Sequence, residues 1–124
     1  MYKRQDIRKI QSLLTTNGVL IVAVPNYNSF DANYYGNFWA AYDVPRHLWH
    51  FSKKSIQVLF GKYNMQLVKT KPMIFDSFYV ALLSEKYKTG KQNFLSAFFV
   101  GLRSNMSAWK TGEYSSIIYL LKKR

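Results

Sequence analysis

The segment from Asp43 to Ser52, DVPRHLWHFS, holds the side chains of this 124-residue chain that are best suited to chemistry. It contains both histidines, His47 and His50, and imidazole is the side chain whose unperturbed pKa lies closest to neutrality. Either histidine could therefore act as a general base, with Asp43 orienting one ring. Arg46 could clamp a carboxylate or phosphate through two parallel hydrogen bonds. The segment predicts a site for a polar substrate.

The same residues also have a structural interpretation. Pro45 fixes a turn, and Arg46 could pair with Asp43 simply to hold the loop. His50 and Phe51 could pack at the start of the next helix. Two histidines without a third ligand nearby do not predict a metal site. Both interpretations stay open for each single residue, whereas the segment as a whole favours a substrate site.

The chain before this segment supplies an apolar strand and an aromatic loop. The run from Val19 to Val24 has no polar alternation, which predicts a strand covered on both faces, and it stops at Pro25-Asn26. A buried strand that ends in a polar loop is how open α/β sheets build ligand sites. The aromatic side chains of the loop could line an apolar ligand or pack as core over the sheet edge: Tyr34, Tyr35, Phe38 and Trp39.

Apolar periodicity and stop signals predict an α-β-loop-α-β-α-α-β order, which is an α/β fold. The predicted elements are helices at 3–16, 52–63, 78–87 and 91–109, and strands at 19–24, 65–70 and 117–121. Asn17 or Gly18 would end the first helix, and Ser52 would cap the second, which Asn64 would close. Asp76 or Ser77 would cap the third helix, Gly90 would end it, and Thr111-Gly112 would break the fourth. No Gly-rich phosphate-binding turn is present, and three strands make a thin sheet. The chain therefore looks like the second half of an α/β domain.

Composition excludes several classes of protein. At 48% hydrophobic and 19% charged residues the chain is globular rather than disordered, and without cysteine it has no disulfide or Cys-ligated zinc. The charged start lacks a secretory signal, and the longest uncharged apolar stretch, Phe94 to Leu102, is too short to cross a bilayer. These features predict a soluble cytoplasmic protein. The net charge of +12 favours contact with polyanions, unless the lysines only solvate the surface.

The run from Gly18 to Phe60 resembles the C-terminal half of bacterial class I S-adenosylmethionine-dependent methyltransferases, over about a third of the chain. The most specific part of the likeness is a D-x-P-R-H-L-x-H-F segment, and the strand followed by Pro-Asn is a weaker part. The matching pieces are Asn17-Gly18, Val19 to Val24, Pro25-Asn26, Tyr34 to Trp39, Asp43 to Ser52, and Ser55 to Phe60.

The resemblance implies the C-terminal half of a Rossmann-like methyltransferase sheet. Val19 to Val24 would be strand five and Met65 to Thr70 strand six, with Ile117 to Leu121 as strand seven, antiparallel between them. Helices would be inserted before the last strand. Residues 1–124 would then be one partial domain, made of an α-β-loop-α-β core at 1–72, a helical insertion at 73–110 and the last strand at 111–124.

The resemblance also implies a function, that of the acceptor-binding half of a methyltransferase. His47 or His50 would be the candidate base, and the residues that contact a small-molecule or lipid-like methyl acceptor would be Asn26, Tyr34, Tyr35, Trp39, Asp43 and Arg46. The family holds its cofactor with a Gly-rich loop and acidic residues in the other half, which is missing here. We therefore expect no cofactor-binding or metal-binding residues in this chain, no tight binding of S-adenosylmethionine, and no activity of this piece alone.

A second functional hypothesis is a small basic binding module for nucleic acid or an anionic membrane surface. Its support is the net charge of +12 and the apolar stripe from Phe94 to Trp109, which on a basic helix can lie in a membrane interface, although such a stripe is more often core. The lack of an RNA-binding motif disfavours nucleic acid. A homodimer through an exposed sheet edge or through the helical insertion is a further expectation.

Overall fold

In a computed structural model, the protein is a mixed α/β fold, described over residues 4–42 and 50–124, with side chains described from residue 6 onward. The elements are α1 (Arg4–Leu13), β1 (Val19–Pro25), α2 (Phe30–Tyr35), two short 3₁₀ turns (Gly36–Phe38 and Ala40–Tyr42), α3 (Lys53–Gly61), β2 (Met65–Pro72), α4 (Asp76–Thr89), α5 (Phe94–Thr111) and β3 (Ser116–Lys123).

The three strands form one sheet in the order β1-β3-β2, and β3 runs antiparallel to both neighbours. Its register pairs Ile21 with Leu120 on one side, and Lys69 with the same Leu120 on the other, after an irregularity at Leu67. Because both outer strands oppose β3, β1 and β2 point in the same direction, as a crossover through α3 requires. The central antiparallel last strand is the order that the resemblance implies; the methyltransferase half itself stays a prediction.

One face of the sheet is covered by α1 and α3. The fully buried side chains there come from both helices and all three strands: Ile7, Val22, Ile56, Phe60, Met65, Ile117, Tyr119 and Leu121. Helix α3 begins as its sequence predicts, since the Ser52 hydroxyl accepts from the Ser55 amide and the Ser55 hydroxyl accepts from the Ser52 amide. Each large apolar side chain buried here stabilises the fold by about 1.5–3 kcal/mol.

The other face of the sheet is partly open, which corrects the expectation that β1 is covered on both faces. Alternate residues of β1 are exposed, and Ile21 keeps 65% of its surface accessible. β1 is also an edge strand, paired only with β3 within the described residues. An uninterrupted apolar run therefore predicts a strand but does not show which of its faces is covered.

Between β2 and β3 the chain forms a helical hairpin, α4 and α5, that packs with α2 and the two 3₁₀ turns around a second core. Both helices end at glycines in the left-handed conformation, Gly90 (φ 78°) and Gly112 (φ 75°). Asn93 caps α5 by accepting from the Ser96 amide. The residue that precedes α4 is Phe75, which makes no side-chain cap, so the expectation that Asp76 or Ser77 caps this helix is wrong.

Candidate functional site

The loop that leaves the carboxyl end of β1 is fixed by Asn26, whose side chain is fully buried. Its amide nitrogen donates to Glu113 Oε2 at 2.6 Å and to the Tyr114 carbonyl at 3.0 Å. Its Oδ1 accepts from the Asn28 amide, which turns the chain after the strand. A parallel bridge also joins Asn26 to Phe51, just after the Asp43 to Trp49 segment. Asn26 therefore holds together the start of the loop, its far end and the approach to β3.

The aromatic loop folds into α2 around a buried carboxylate, Asp31. Ser29 caps this helix by accepting from the Ala32 amide. Asp31 is 0% exposed and accepts three hydrogen bonds, from Trp39 Nε1 at 2.8 Å and from the hydroxyls of Ser104 and Ser115 at 2.7 Å each. These donors come from the loop, from α5 and from the residue just before β3. One carboxylate thus joins three parts of the fold at the carboxyl end of β1.

A second buried carboxylate, Glu85 of α4, lies beside Tyr35. Its Oε1 accepts from the Tyr35 hydroxyl at 3.0 Å and from the Ser96 hydroxyl at 2.6 Å. Burial is the main cause that raises the pKa of Tyr35 above the ordinary tyrosine range, and the hydrogen bond to Glu85 is the second. The pKa of Tyr119 in the sheet is raised in the same way, mainly by burial and secondly by the charge of Glu113.

The raised pKa values of these two tyrosines predict that the fold loses stability in alkali. Their folded pKa values are raised, so their contribution is fully present below the unfolded value of about 10 and is lost as the pH rises above it, at up to about 1.4 kcal/mol per pH unit for each. Measured by urea unfolding above about pH 10, the free energy of unfolding should fall less steeply with pH in Tyr35→Phe than in the parent chain. The exposed Tyr87→Phe is the matched control, and a decline unchanged in Tyr35→Phe would contradict the assignment.

Three aromatic rings lead from the buried network to the histidine segment. The Trp39 ring meets the Tyr42 ring edge-on at 4.9 Å, and Tyr42 meets His50 edge-on at 4.8 Å between centroids. Trp39 is buried, whereas Tyr42 and His50 are half-buried. His50 therefore stands at the outer end of this row, next to the Asp43 to Trp49 segment.

The structure brings some of the predicted site residues together. Trp39 and His50 are linked through Tyr42, and Asn26 lies at the same end of β1. Tyr35, the last residue of α2, is buried against Glu85 of α4. Tyr34 is half exposed, packs on Phe30 and lies under the Lys88 ammonium group. Asp43, Arg46 and His47 lie outside the described residues. The roles proposed for all eight residues stay predictions.

Sequence reasoning missed the acidic residues that organise this end of the fold: Asp31, Glu85 and Glu113. The chain has six acidic residues in all, so a carboxylate within the aromatic loop was a signal, though a weak one. Asn26, Tyr35 and Trp39, predicted as acceptor contacts, use their polar groups to bind these carboxylates. In the described structure they position the loop, and His50, whose ring is half-buried, is the predicted base that falls within the described residues.

Across the described part of the chain, no three His, Asp or Glu side chains lie close enough to hold a metal ion. Within residues 4–42 and 50–124, no helix has the length and apolar character needed to span a membrane.

Comparison with known proteins gives no match to a family model, to a curated protein or to a solved structure.

Proposed function

We propose that this chain is the acceptor-side half of an S-adenosylmethionine-dependent methyltransferase. The observation that supports the proposal most is the strand order β1-β3-β2, with the last strand antiparallel between two strands of common direction. The resemblance in the Gly18 to Phe60 run implies this order, which element periodicity alone does not. The polar loop at the carboxyl end of β1 is also where ligands bind in open α/β sheets.

The edge of β1 is where the cofactor-binding half would join. Among the described strands β1 pairs only with β3, and its residues Val19 and Ile21 are exposed. An unpaired strand edge offers backbone donors and acceptors to a further strand. A cofactor half that added strands here would place its Gly-rich turn near Asn26, at the same end of the sheet.

We expect this chain by itself not to bind the cofactor tightly. Both oxygens of Asp31 are occupied by internal donors, and Glu85 accepts from two hydroxyls. Both side chains are buried, so neither carboxylate is accessible to a ribose, and the six glycines are scattered along the chain. The cofactor would supply the methyl group from the other half. This chain would hold the acceptor and, through His47 or His50, take up its proton.

The test is methyl transfer by the polypeptide extended in frame upstream of Met1. The proposal predicts that the extension encodes a strand followed by a Gly-rich turn, and that the longer protein transfers labelled methyl from S-adenosylmethionine to an acceptor. His47→Ala and His50→Ala separate the candidate bases, and exposed Gln57→Ala on α3 is the control. A stop codon directly upstream of Met1, or an extension without such a turn, would contradict the proposal.

A further inference from the structure

Helix α5 is amphipathic in the reverse sense, with small residues inside and large apolar residues outside. The residues that it buries are Ala97, Val100, Gly101, Ser104 and Ala108. The residues that it exposes are Phe94, Leu95, Phe98, Phe99, Leu102, Met106 and Trp109. At about 100° per residue the exposed set spans an arc of about 140° along one side of the helix. A helix that faces only water would carry polar residues there.

Helix α4 extends this apolar surface. Between the helices lies an open groove of about 550 Å³, lined by Phe75, Phe78, Tyr79, Leu82, Phe94, Ala97 and Phe98. Residues that line a separate depression of about 260 Å³ include Ile74, Met106 and Trp109. Phe75 is 80% exposed and Trp109 is 85% exposed. We call this surface the hairpin face, defined by Phe75, Tyr79, Phe94, Phe98, Met106 and Trp109.

The hairpin carries exposed basic side chains and, within residues 75–111, no exposed acidic ones. Residues 75–111 contain five basic residues, all exposed: Lys86, Lys88, Lys91, Arg103 and Lys110. Arg103 and Lys110 follow the exposed stripe along its edge on α5. The two carboxylates of this range, Asp76 and Glu85, already accept hydrogen bonds from hydroxyl groups. A partner that fits this face therefore has an apolar region that the exposed side chains can enter, and negative charge that pairs with the basic ones.

We propose that the hairpin face docks this protein on an anionic lipid membrane. Exposed Phe, Leu, Met and Trp side chains would enter the boundary between headgroups and acyl chains, and the basic side chains would meet the headgroup phosphates. Nucleic acid would match the charge but leaves the leucine and methionine side chains in water. A second copy would bring two chains of net charge +12 together, which electrostatic repulsion opposes. This inference does not depend on the proposed methyltransferase function.

The test measures partitioning of the chain onto phosphatidylcholine vesicles with and without phosphatidylglycerol. We expect binding to the anionic vesicles, weak binding to the neutral ones, and a decrease with added salt. Phe94→Ser with Trp109→Ser should lower the partition coefficient about tenfold or more, because two large exposed rings no longer leave water. The matched control is Leu13→Ser with Val58→Ser, two exposed apolar residues on α1 and α3, outside the hairpin.

Charge reversal separates the hairpin face from the charge of the whole chain. Lys86→Glu with Lys91→Glu should lower binding roughly 25-fold, at about 1 kcal/mol for each lysine lost near the surface. Lys54→Glu with Lys62→Glu changes the net charge equally on α3, and should lower binding only about twofold because of screening.

The depth of insertion provides a further readout. Brominated lipids should quench Trp109, and Trp109→Phe should keep binding while losing this quenching. Equal losses in the hairpin and control variants would overturn the proposal, as would no binding to anionic vesicles. A dimer that dissociates in the Phe94→Ser, Trp109→Ser variant, detected by analytical ultracentrifugation, would also overturn it, since the face would then be covered by a second copy.

Discussion

Replacing Asp31 with alanine should lower the free energy of unfolding by about 3 kcal/mol. The substitution leaves the Trp39 indole and the hydroxyls of Ser104 and Ser115 without their buried acceptor. Hydrogen bonds to a charged group are worth about 1.5–3 kcal/mol each, and removing the buried charge offsets part of that loss. The hydroxyls can rotate towards other acceptors, but the indole cannot. Urea denaturation followed by circular dichroism at neutral pH measures the difference.

Two further variants show whether the network is the cause. Asp31→Asn keeps the shape of the side chain but turns an NH₂ group towards groups that themselves donate. We expect it to lower the free energy of unfolding by about 2 kcal/mol. Asp6→Ala removes an exposed carboxylate from the first turn of α1 and should cost at most about 1 kcal/mol. If Asp31→Ala were no more destabilising than Asp6→Ala, the buried carboxylate would not hold α2, α5 and β3 together.

Replacing Gly101 with valine should destabilise the protein by about 3 kcal/mol. A Cβ atom at this position would lie 2.6 Å from Phe78 Cδ1 and 3.1 Å from the Phe78 Cα, so α4 and α5 would have to separate. Turning the Phe78 ring away would break its stacking on Phe98, at 5.6 Å between centroids, and would not relieve the approach to the Phe78 Cα, which is backbone. The better helix propensity of valine returns only about 0.4 kcal/mol. Thermal unfolding measures the change.

The matched control is Gly61→Val in α3. Among the described residues a Cβ there would meet only the Arg124 side chain, at 3.7 Å, and we expect the free energy of unfolding to change by no more than about 0.5 kcal/mol. Equal behaviour of the two variants would show that close approach at Gly101 does not set the spacing of the hairpin. Because Phe78 and Phe98 both line the groove, Gly101→Val should also weaken vesicle binding in the fraction that stays folded.

Most elements could be predicted from sequence because local signals and tertiary packing agree. The runs at Val19 and Ile117 form strands, Ser52 caps α3, and Gly90 and Gly112 end the two hairpin helices. The left-handed conformation expected after α3 occurs at Asn64, with φ 58°. At these positions one side-chain type satisfies a backbone requirement by itself.

The short helix α2 and the 3₁₀ turns around Gly36 could not be predicted in this way. Their sequence, from Phe30 to Tyr42, carries no helical period, and the six-residue helix is shorter than an isolated helix can sustain. It depends on the Ser29 cap and on donors to Asp31 from residues 104 and 115. Contacts between residues so distant in the chain leave no local pattern.

The orientation of α5 could not be predicted from its helical periodicity, for a different reason. A helical period shows that large apolar residues share one side, but not whether this side faces the core or the outside. The informative signal was the opposite stripe of small residues, Ala97, Gly101, Ser104 and Ala108, at spacings of four, three and four. Such a stripe allows close approach of a neighbouring helix, here α4, and leaves the large side chains outside.

The location of the candidate site could be predicted from the sequence, but the hydrogen bonds that hold its residues in place could not. The carboxyl end of β1 followed from the strand and loop pattern, and the row Trp39, Tyr42 and His50 lies at that end. The carboxylates that bind Asn26 and Trp39 come from residues 113 and 31, which sequence spacing does not connect. The site therefore depends on long-range hydrogen bonds that only the folded chain reveals.

Calorimetric titration of S-adenosylmethionine tests the central proposal most directly, with this 124-residue chain compared with the polypeptide extended in frame upstream of Met1. The acceptor-side proposal predicts no binding heat with the 124-residue chain, in which the buried Asp31 and Glu85 already accept internal hydrogen bonds, and micromolar affinity with the longer one. Micromolar binding by the 124-residue chain, or no binding by the longer polypeptide, would contradict it.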